Sequence, residues 1–261
     1  MGVRAGGPRA SVGTRTILAA GLLAASAVQA QDKPVDNGTD PTKQPQKLTT
    51  TFEHVALKGG LGSDLLKLDY RLPIGNNSSV GLKLPVTRVT GVGGSERFDL
   101  GDASVVLSHV FGLSREGGYV AIGELIGNTA ARPELGTGHT VLKATFIAAR
   151  FLPGGHIFAP AIVQSNSLGG SKARADVNNT TFDFYYVPKL ADPHDLVTFD
   201  PSLVFDWESN KKYASLAVTY GRVVGKAFGG NAIVTIKPTA FVGGDRPGKW
   251  GLELGYKVIG F

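Results

Sequence analysis

The last part of the chain alternates between apolar residues and small or charged residues. Within residues 249–258, one parity holds Trp250, Leu252, Leu254, Tyr256 and Val258. Because alternate side chains of a pleated strand point to opposite faces, this alternation predicts a strand whose apolar face carries an aromatic residue near each end. Ile259 and Phe261 lie on the polar parity, and a β-bulge near Val258 would explain that change of face.

The same alternation recurs on both sides of a turn signal at residues 75–77. Residues 66–72 and 80–86 each alternate apolar with polar side chains around the sequence Gly-Asn-Asn, which predicts a β-hairpin. Further segments of this kind bring the total to about twelve strands. The others are centred near residues 52–58, 101–111, 117–127, 138–151, 155–165, 180–188, 197–207, 212–222 and 229–242, followed by the C-terminal strand.

The connectors between these segments differ in length in a regular way. Long connectors, such as 88–100 and 128–137, alternate with short ones, such as 112–116 and 153–154. This alternation is typical of outer-membrane β-barrels, and closure removes the open edge that a terminal strand would otherwise leave. We therefore expect an all-β fold, a closed antiparallel transmembrane β-barrel of about 12 strands over residues 51–261, surrounded by the lipid of a bacterial outer membrane. We also expect the barrel-assembly machinery to engage the C-terminal strand.

The first thirty residues have the features of an export signal. Three arginines and no acidic residue accompany an apolar run over residues 17–28, which is too short to cross a membrane as a helix. Small residues follow at a cleavage position, so we expect a signal peptide over residues 1–30 and a mature chain that begins at Gln31. Residues 31–50 are polar and contain three prolines. They cannot bury enough surface to offset the entropy of ordering, which predicts a disordered periplasmic tail.

Charge and cysteine content exclude several kinds of partner. The 261-residue chain has a formal net charge of +6, and removal of residues 1–30 leaves 24 basic and 21 acidic residues, a net charge of +3. The longest basic run in the remainder is Lys211-Lys212, so no clustered basic face predicts nucleic-acid binding. The chain has no cysteine, which excludes disulfide bonds and a lipid-anchored N-terminal cysteine.

An enzymatic role has little support in the sequence. The five histidines are scattered singly, and the chain has no zinc motif, nucleophile elbow or phosphate-binding loop. We therefore expect no catalytic residue, no metal and no cofactor. An outer-membrane lipid-modifying enzyme is a third alternative through Ser108 and His109, although adjacent residues of a strand point to opposite faces and cannot pair directly.

Charged residues occupy the polar parity of strands throughout the chain. In a barrel with a lipid-facing apolar surface, such side chains pair with one another or line a wet lumen. The basic members on early strands and the acidic members on later strands would occupy different arcs of the wall and create a transverse field. The lumen-lining candidates are Lys67, Asp69, Arg71, Lys83, Asp183, Asp200, Asp206, Lys237 and Glu253.

Aromatic residues near strand ends are typical of the girdles that contact lipid headgroups. The same residues would also suit a secreted or periplasmic β-sandwich binding protein, with aromatic side chains in its core and charges in solvent. Membrane insertion separates these two interpretations. The girdle candidates are Tyr70, Phe184, Tyr186, Trp207, Tyr220, Trp250 and Tyr256.

Several short motifs occur in a characteristic order. They are Phe-Asp-Leu-Gly-Asp at 98–102, Leu-Gly-Thr-Gly at 135–138 before a long strand, Lys-Pro at 237–238 and the stretch 251–257. From about residue 61 to its end, the chain resembles the outer-membrane proteins grouped with the MetA pathway of phenol degradation. The resemblance implies a barrel that acts as a channel or uptake protein for a small-molecule solute, often hydrophobic or aromatic, without established catalytic residues.

Overall fold

The computed structural model describes residues 35–91 and 96–261. The signal peptide expected over residues 1–30, its cleavage site and the first residues of the expected tail lie outside this part of the chain. The helical elements of the described residues are three-residue 3-10 turns, and none of them is long or apolar enough to cross a membrane.

Strands make up most of the described chain. The longest, β11, has 17 residues, and β4 has only two. In chain order they are β1 (Lys47–Leu57), β2 (Gly62–Ile74), β3 (Ser78–Thr90), β4 (Asp99–Leu100), β5 (Ser104–Phe111), β6 (Gly117–Ile126), β7 (His139–Leu152), β8 (His156–Gly170), β9 (Asn178–Val187), β10 (Asp195–Asp206), β11 (Lys211–Ala227), β12 (Gly230–Val242) and β13 (Gly248–Ile259).

Twelve of these strands form one closed antiparallel ring. β1 pairs with β2 on one side and with β13 on the other, and β2 pairs with β3. β3 pairs with both β4 and β5, and from β5 onward each strand pairs with the next along the chain. The expected barrel of about twelve strands is confirmed. The β-sandwich alternative is wrong, because a sandwich consists of two sheets, whereas these strands close a single sheet upon itself.

The two ends of the barrel differ in their connectors. Lys47 pairs with Ile259, so β1 begins and β13 ends at the same end of the barrel. We call this end the turn end, because its connectors are on average shorter; they are 75–77, 112–116, 153–155, 188–194 and 228–229. We call the opposite end the loop end; its connectors are 58–61, 91–103, 127–138, 171–177, 207–210 and 243–247. In barrels of this type the short turns face the periplasm and the longer loops face outward.

The shortest connector shows how local sequence sets a turn. β11 and β12 are joined by Phe228 and Gly229, which both adopt positive φ values, of 50° and 87°. Two successive left-handed residues form the primed turn that matches the twist of antiparallel strands. The side chain of Phe228 contacts that of Phe261, since the centres of the two rings lie 6.3 Å apart.

The outer face of the barrel is apolar across its middle. Leu68, Ile236 and Leu254 are 40 %, 41 % and 47 % exposed, although each lies near the centre of its strand. Their neighbours along the chain, such as Lys67 and Glu253, are less exposed and point the other way. Large exposed apolar side chains in such a continuous band are stable only against an apolar surrounding, which is the bilayer.

The structure places the candidate girdle residues on this outer face, near its two edges. Trp207 and Trp250 lie toward the loop end, where Trp207 Nε1 donates a hydrogen bond of 2.8 Å to Thr180 Oγ1. Both tryptophans therefore lie at the edge where polar partners become available. Toward the turn end lie Tyr70, Tyr186, Tyr220 and Tyr256, with Phe184 between the two levels.

The distance between these levels suits a membrane. Asp206, the residue before Trp207, pairs with Lys211, and Tyr220 follows Lys211 by nine residues on β11. At about 3.4 Å per residue this corresponds to about 31 Å along the strand. With the strand tilt of about 40° usual in such barrels, the apolar band is about 23 Å tall, close to the height of about 25 Å that is typical.

The expected β-bulge near Val258 is wrong. The register between β1 and β13 is continuous from the pair Lys47 and Ile259 to the pair Ala56 and Trp250. Ile259 therefore points into the barrel, where it is 2 % exposed and packs with Leu196, Val223 and Ile233. Residue 259 is apolar although it lies on the polar parity, because the inside of the barrel at the turn end is packed with apolar side chains.

Candidate functional site in the barrel lumen

All nine candidate lumen residues lie on the inward parity, and eight of them point into the barrel. The ninth, Asp206, shares that parity but is used elsewhere. Its carboxylate accepts hydrogen bonds from the backbone N–H groups of Glu208 and Ser209 and from the Ser209 hydroxyl, so it caps the connector between β10 and β11. The eight inward residues are Lys67, Asp69, Arg71, Lys83, Asp183, Asp200, Lys237 and Glu253.

Several inward charges form ion pairs along the wall. Lys83 Nζ donates to both carboxylate oxygens of Glu124 at 2.8 Å, and Ser104 Oγ donates to the same carboxylate at 2.6 Å. Arg71 Nε donates to Asp69 at 2.8 Å, while Lys237 and Glu253 approach to 3.2 Å. The Lys83–Glu124 and Lys237–Glu253 pairs join different strands, the Arg71–Asp69 pair lies within β2, and all three offset the cost of turning charge away from bulk water.

The inward charges remain accessible to solvent. The side chains of Lys237 and Glu253 are 29 % and 20 % exposed, and that of Lys83 is 21 % exposed. Because the wall is a closed sheet and these side chains point inward, their exposed surface faces the lumen. The barrel interior is therefore a polar space that water reaches, rather than a solid apolar core.

Sequence reasoning missed further inward charges, among them Lys143, Glu124, Lys47 and Lys257. Lys143 and Glu124 lie on segments with apolar residues on both parities, so alternation did not assign their faces. Lys47 fell within the expected tail, but β1 begins at this residue rather than at 51. Lys257 could have been found, because it shares the parity of Glu253 on the C-terminal strand.

The basic and acidic groups lie on opposite sides of the ring. Four strands separate β3 from β9 in one direction, and four separate β10 from β2 in the other. Arg71 and Lys83 are largely neutralised by their carboxylate partners. Asp183 and Asp200, on adjacent strands, have no ion-pair or hydrogen-bond partner among the described residues. Lys67 on β2 likewise has no ion-pair or hydrogen-bond partner among the described residues, so each arc contributes unpaired charge of its own sign to the lumen.

Residues 35–46, which we call the lumen segment, cross the barrel interior at the turn end. Ser79 on β3 donates a hydrogen bond of 2.7 Å to Gln44, whereas the hydroxyl of Tyr185 on β9 donates one of 3.4 Å to the carbonyl of Thr39. β3 and β9 lie on different sides of the ring, so the segment bridges the bore. Val35 packs against the apolar group around Ile259, and Asn231 donates to the carbonyl of Asp36 at 2.8 Å.

The lumen segment holds its shape through short-range turns. Asp36 Oδ1 accepts from the backbone N–H of Gly38 at 2.9 Å. Asp40 Oδ1 accepts from both the backbone N–H and the hydroxyl of Thr42, at 2.9 and 2.7 Å. Asp and Asn side chains that bond the chain two residues on form turns without a helix or strand. These turns satisfy the polar backbone inside the barrel.

This arrangement differs from the disordered tail expected over residues 31–50. The expectation rested on the lack of apolar residues, which leaves an isolated segment without a core of its own. Within the described part of that range, Lys47–Leu57 begins the barrel wall and the lumen segment uses the wall as its core. Only a few anchors are then needed, since the barrel supplies the remaining surface.

The loops at the opposite end are fastened to one another by Asp102. Its Oδ1 accepts hydrogen bonds from the backbone N–H groups of Thr129 and Ala130 at 3.1 Å, and its Oδ2 accepts from that of Thr137 at 2.7 Å. Arg174 extends the cluster by donating to the carbonyls of Pro133 and Gly136. Residues 96–103 and the loops 127–138 and 171–177 are thus connected into one rim.

A charged cluster also lies on the outer face near the loop end. Asp64 accepts from Arg88 Nη2 at 2.6 Å and lies 2.7 Å from His54 Nδ1, across the two neighbouring strands. Its side chain is only 6 % exposed. The guanidinium of Arg88 also lies 4.7 Å from the ring centre of Phe98. Pairing on both sides makes a lipid-facing carboxylate tolerable close to the membrane edge.

Removing Glu124 is expected to destabilise the barrel. In Glu124→Leu, the Lys83 ammonium loses both short hydrogen bonds, and an unpartnered, partly buried charge costs about 1–3 kcal/mol in the free energy of unfolding. The double variant Lys83→Met with Glu124→Leu should recover most of that loss, because no charge is then left alone. Urea unfolding in lipid vesicles measures the cycle. Equal stability of Glu124→Leu and wild type would contradict this role.

Metal binding finds no support in the geometry. Within residues 35–91 and 96–261, no group of three or more His, Cys, Asp or Glu side chains could hold a metal ion. Ser108 points inward, where it is 5 % exposed. His109 points outward and lies 2.8 Å from Ser78 Oγ through its Nδ1, so Ser108 and His109 do not meet.

Comparison with solved structures shows similar barrels. An outer membrane channel from Pseudomonas putida F1 matches with a TM-score of 0.66 and 11% identity, covering 86% of this chain and 98% of that chain. The NanC porin matches with a TM-score of 0.55 and 8% identity, covering 82% and 98%. The KdgM porin, in complex with disordered oligogalacturonate, matches with a TM-score of 0.50 and 10% identity, covering 80% and 98%. No family model matches the sequence, and neither does any curated protein.

These observations define the class of the protein. A closed ring of twelve antiparallel strands with an apolar outer band, aromatic residues at both edges and a charged inner wall is an outer-membrane β-barrel. The similar solved structures named above are channels and porins of the same fold, not enzymes.

Proposed function

We propose that this protein is a channel or uptake protein that lets small solutes enter through the outer membrane. The observation that supports it most is the accessible charge on the inner wall. Lys83, Lys237 and Glu253 keep part of their surface open to the lumen although the wall around them is closed. A filled barrel would not retain solvent-accessible charged side chains inside, whereas a water-filled conduit accommodates them.

The lumen segment determines how wide that conduit is. Twelve strands lie between the eight-stranded barrels, which side chains fill, and the wide pores of sixteen or more strands. A chain segment across the turn end therefore narrows the passage to the dimensions of small molecules. The fastened loops at the other end keep the outer entrance in one shape.

The finer proposal is kinship with the barrels grouped with the MetA pathway of phenol degradation, and hydrophobic or aromatic compounds as solutes. Two of the motifs behind this resemblance meet in space, because Asp102 of the first binds the backbone of Thr137 in the second. A common structural role for both motifs supports the proposal.

Engagement of the C-terminal strand by the barrel-assembly machinery belongs to the same proposal.

Conductance and solute uptake test the channel. In planar bilayers, the mature chain should show a small conductance whose ion preference depends on Asp183 and Asp200, because these two carboxylates lack ion-pair partners among the described residues. The double variant Asp183→Asn with Asp200→Asn should shift that preference toward anions. Asp195→Asn is the matched control, since Asp195 lies on β10 but points outward and pairs with Arg222. Absence of both conductance and uptake into liposomes would overturn the proposal.

A further inference from the structure

A cavity of about 200 Å³ lies between the lumen segment and the barrel wall at the turn end. Pockets for drug-sized ligands are larger, about 300–1,000 Å³, so this cavity suits a smaller molecule. Its wall changes character from one side to the other. In order around the ring it is lined by Lys47, Arg71, Ser79, Ser108, Ile122 and Ile147.

The basic side of the cavity has more cations than counter-ions. Lys47 faces Arg71 directly across the β1–β2 pair, and Lys257 is close enough to repel the Lys47 ammonium. Asp69 is the neighbouring carboxylate, but it already binds Arg71 through Nε and Nη2. Among the described residues, the Lys47 ammonium has no hydrogen-bond or ion-pair partner. Cations gathered away from bulk water favour an anion between them.

The acidic residues of the lumen segment do not supply that anion. Asp36 and Asp40 also line the cavity, but each has partners within the segment. Asp36 accepts from Gly38 and lies 3.8 Å from Lys43, while Asp40 is held by Thr42. The turns that shape the segment hold these carboxylates, and neither of them forms an ion pair or a hydrogen bond with Lys47 or Arg71.

The guanidinium of Arg71 is well positioned for an incoming group. Gly81 on β3 lies beneath its side chain, and a Cβ atom at that position would overlap Arg71 Cδ. Its bonds to Asp69 leave the donors on Nη1 free for a ligand. An arginine held in this way can offer its remaining donors without first losing side-chain freedom.

The opposite side of the cavity is apolar. Ile122 on β6 and Ile147 on β7 point inward, next to Val120, which is 1 % exposed. These residues belong to segments in which both parities are apolar, an unusual pattern for a wall that is charged elsewhere. The cavity thus joins a cationic wall, two serine hydroxyls and an apolar wall within one small space.

We infer that this cavity binds a small organic anion with an apolar body. Its anionic group lies between Lys47 and Arg71, and its body packs against Ile122 and Ile147. This inference rests on the proposed function, because it assigns a class of solute to the same lumen. A neutral hydrocarbon would leave the cations unpaired, and a small inorganic anion would leave the apolar wall uncovered.

Binding of benzoate to the mature protein in lipid nanodiscs, followed by equilibrium dialysis, tests the inference. Benzyl alcohol has the ring without the charge, acetate has the charge without the ring, and benzylamine has the opposite charge. Benzoate should bind at least about tenfold more tightly than each of them. Lys47→Gln and Arg71→Gln should each weaken benzoate about tenfold, whereas Ile147→Asn should weaken benzoate but leave acetate unchanged. Lys212→Gln, an exposed position on the outer face, is the control.

The outcomes separate this inference from the channel itself. Equal binding of benzoate and benzyl alcohol, or of benzoate to wild type and Lys47→Gln, would overturn the organic-anion site even if liposomes take up solutes. Charge-dependent binding of benzoate in a protein that shows no uptake would support the site and overturn the channel. Loss of folding in Arg71→Gln is recognised by gel mobility, and Lys47→Gln then decides the result.

Discussion

Replacing Leu254 by arginine is expected to lower the free energy of unfolding by about 2–4 kcal/mol, the cost of a lipid-facing arginine near the middle of a bilayer. Leu254 is 47 % exposed on the outer face, at the middle of β13. Leu68→Arg on β2 should have a similar effect, because Leu68 occupies the corresponding position. Urea unfolding in vesicles, followed by gel mobility with and without boiling, measures both losses.

The control lies one residue away. Glu253→Gln removes an inward carboxylate whose pair with Lys237 is partly exposed, and such pairs contribute no more than about 1 kcal/mol. Glu53 lies opposite Glu253 on the neighbouring strand, so the substitution also relieves a repulsion between like charges. Equal destabilisation by Leu254→Arg and Glu253→Gln would show that β13 does not turn its apolar face to lipid.

Deleting residues 35–46 is expected to raise the conductance several-fold. The lumen segment is the part of the described chain that crosses the bore, and it reaches both Ser79 and Tyr185. Its removal leaves a twelve-stranded ring with a charged wall, whose bore is intermediate between filled and open barrels. Single-channel recording in planar bilayers measures the change. An unchanged conductance would mean that the lumen segment is not the constriction.

A reversible version of this experiment controls for damage to the barrel. The chain contains no cysteine, so Gln44→Cys with Ser79→Cys introduces one thiol pair where these side chains now meet. Oxidation should hold the segment in place and keep the conductance at its lowest, and reduction should restore the wild-type value. Equal conductance in the oxidised and reduced states would contradict the view that this contact controls the width of the passage.

Alternation and turn chemistry were sufficient to predict the wall. The hairpin around residues 75–77 and the C-terminal strand both show strict parity, because one face meets lipid and the other meets polar groups. The predicted positions of the strand ends were less accurate than the predicted strands themselves. β8 continues to Gly170, beyond the predicted end near 165, because its last residues are polar or glycine apart from Leu168 and resemble a loop in sequence.

The contents of the lumen could not be predicted in the same way. Residues 35–46 lack an apolar pattern, and their order depends on walls that are formed by residues far along the chain. Asp64 shows the limit of parity, since it lies on the outward face and is stabilised there by His54 and Arg88 from neighbouring strands. Asp206 had the right parity but caps a connector, which depends on local backbone geometry rather than on alternation.

The contacts of the lumen segment with β13 also bear on how the barrel is completed. The seam between β1 and β13 joins residues about 200 positions apart, such as Lys47 and Ile259, and contacts so distant in sequence form late in folding. Both ends of the lumen segment contact the end of β13 at this strand pair. Val35 packs against Ile259, and the carbonyl of Gln46 accepts a hydrogen bond of 2.8 Å from the backbone N–H of Gly260. The residues that narrow the passage therefore also stabilise the pairing of the first and last strands.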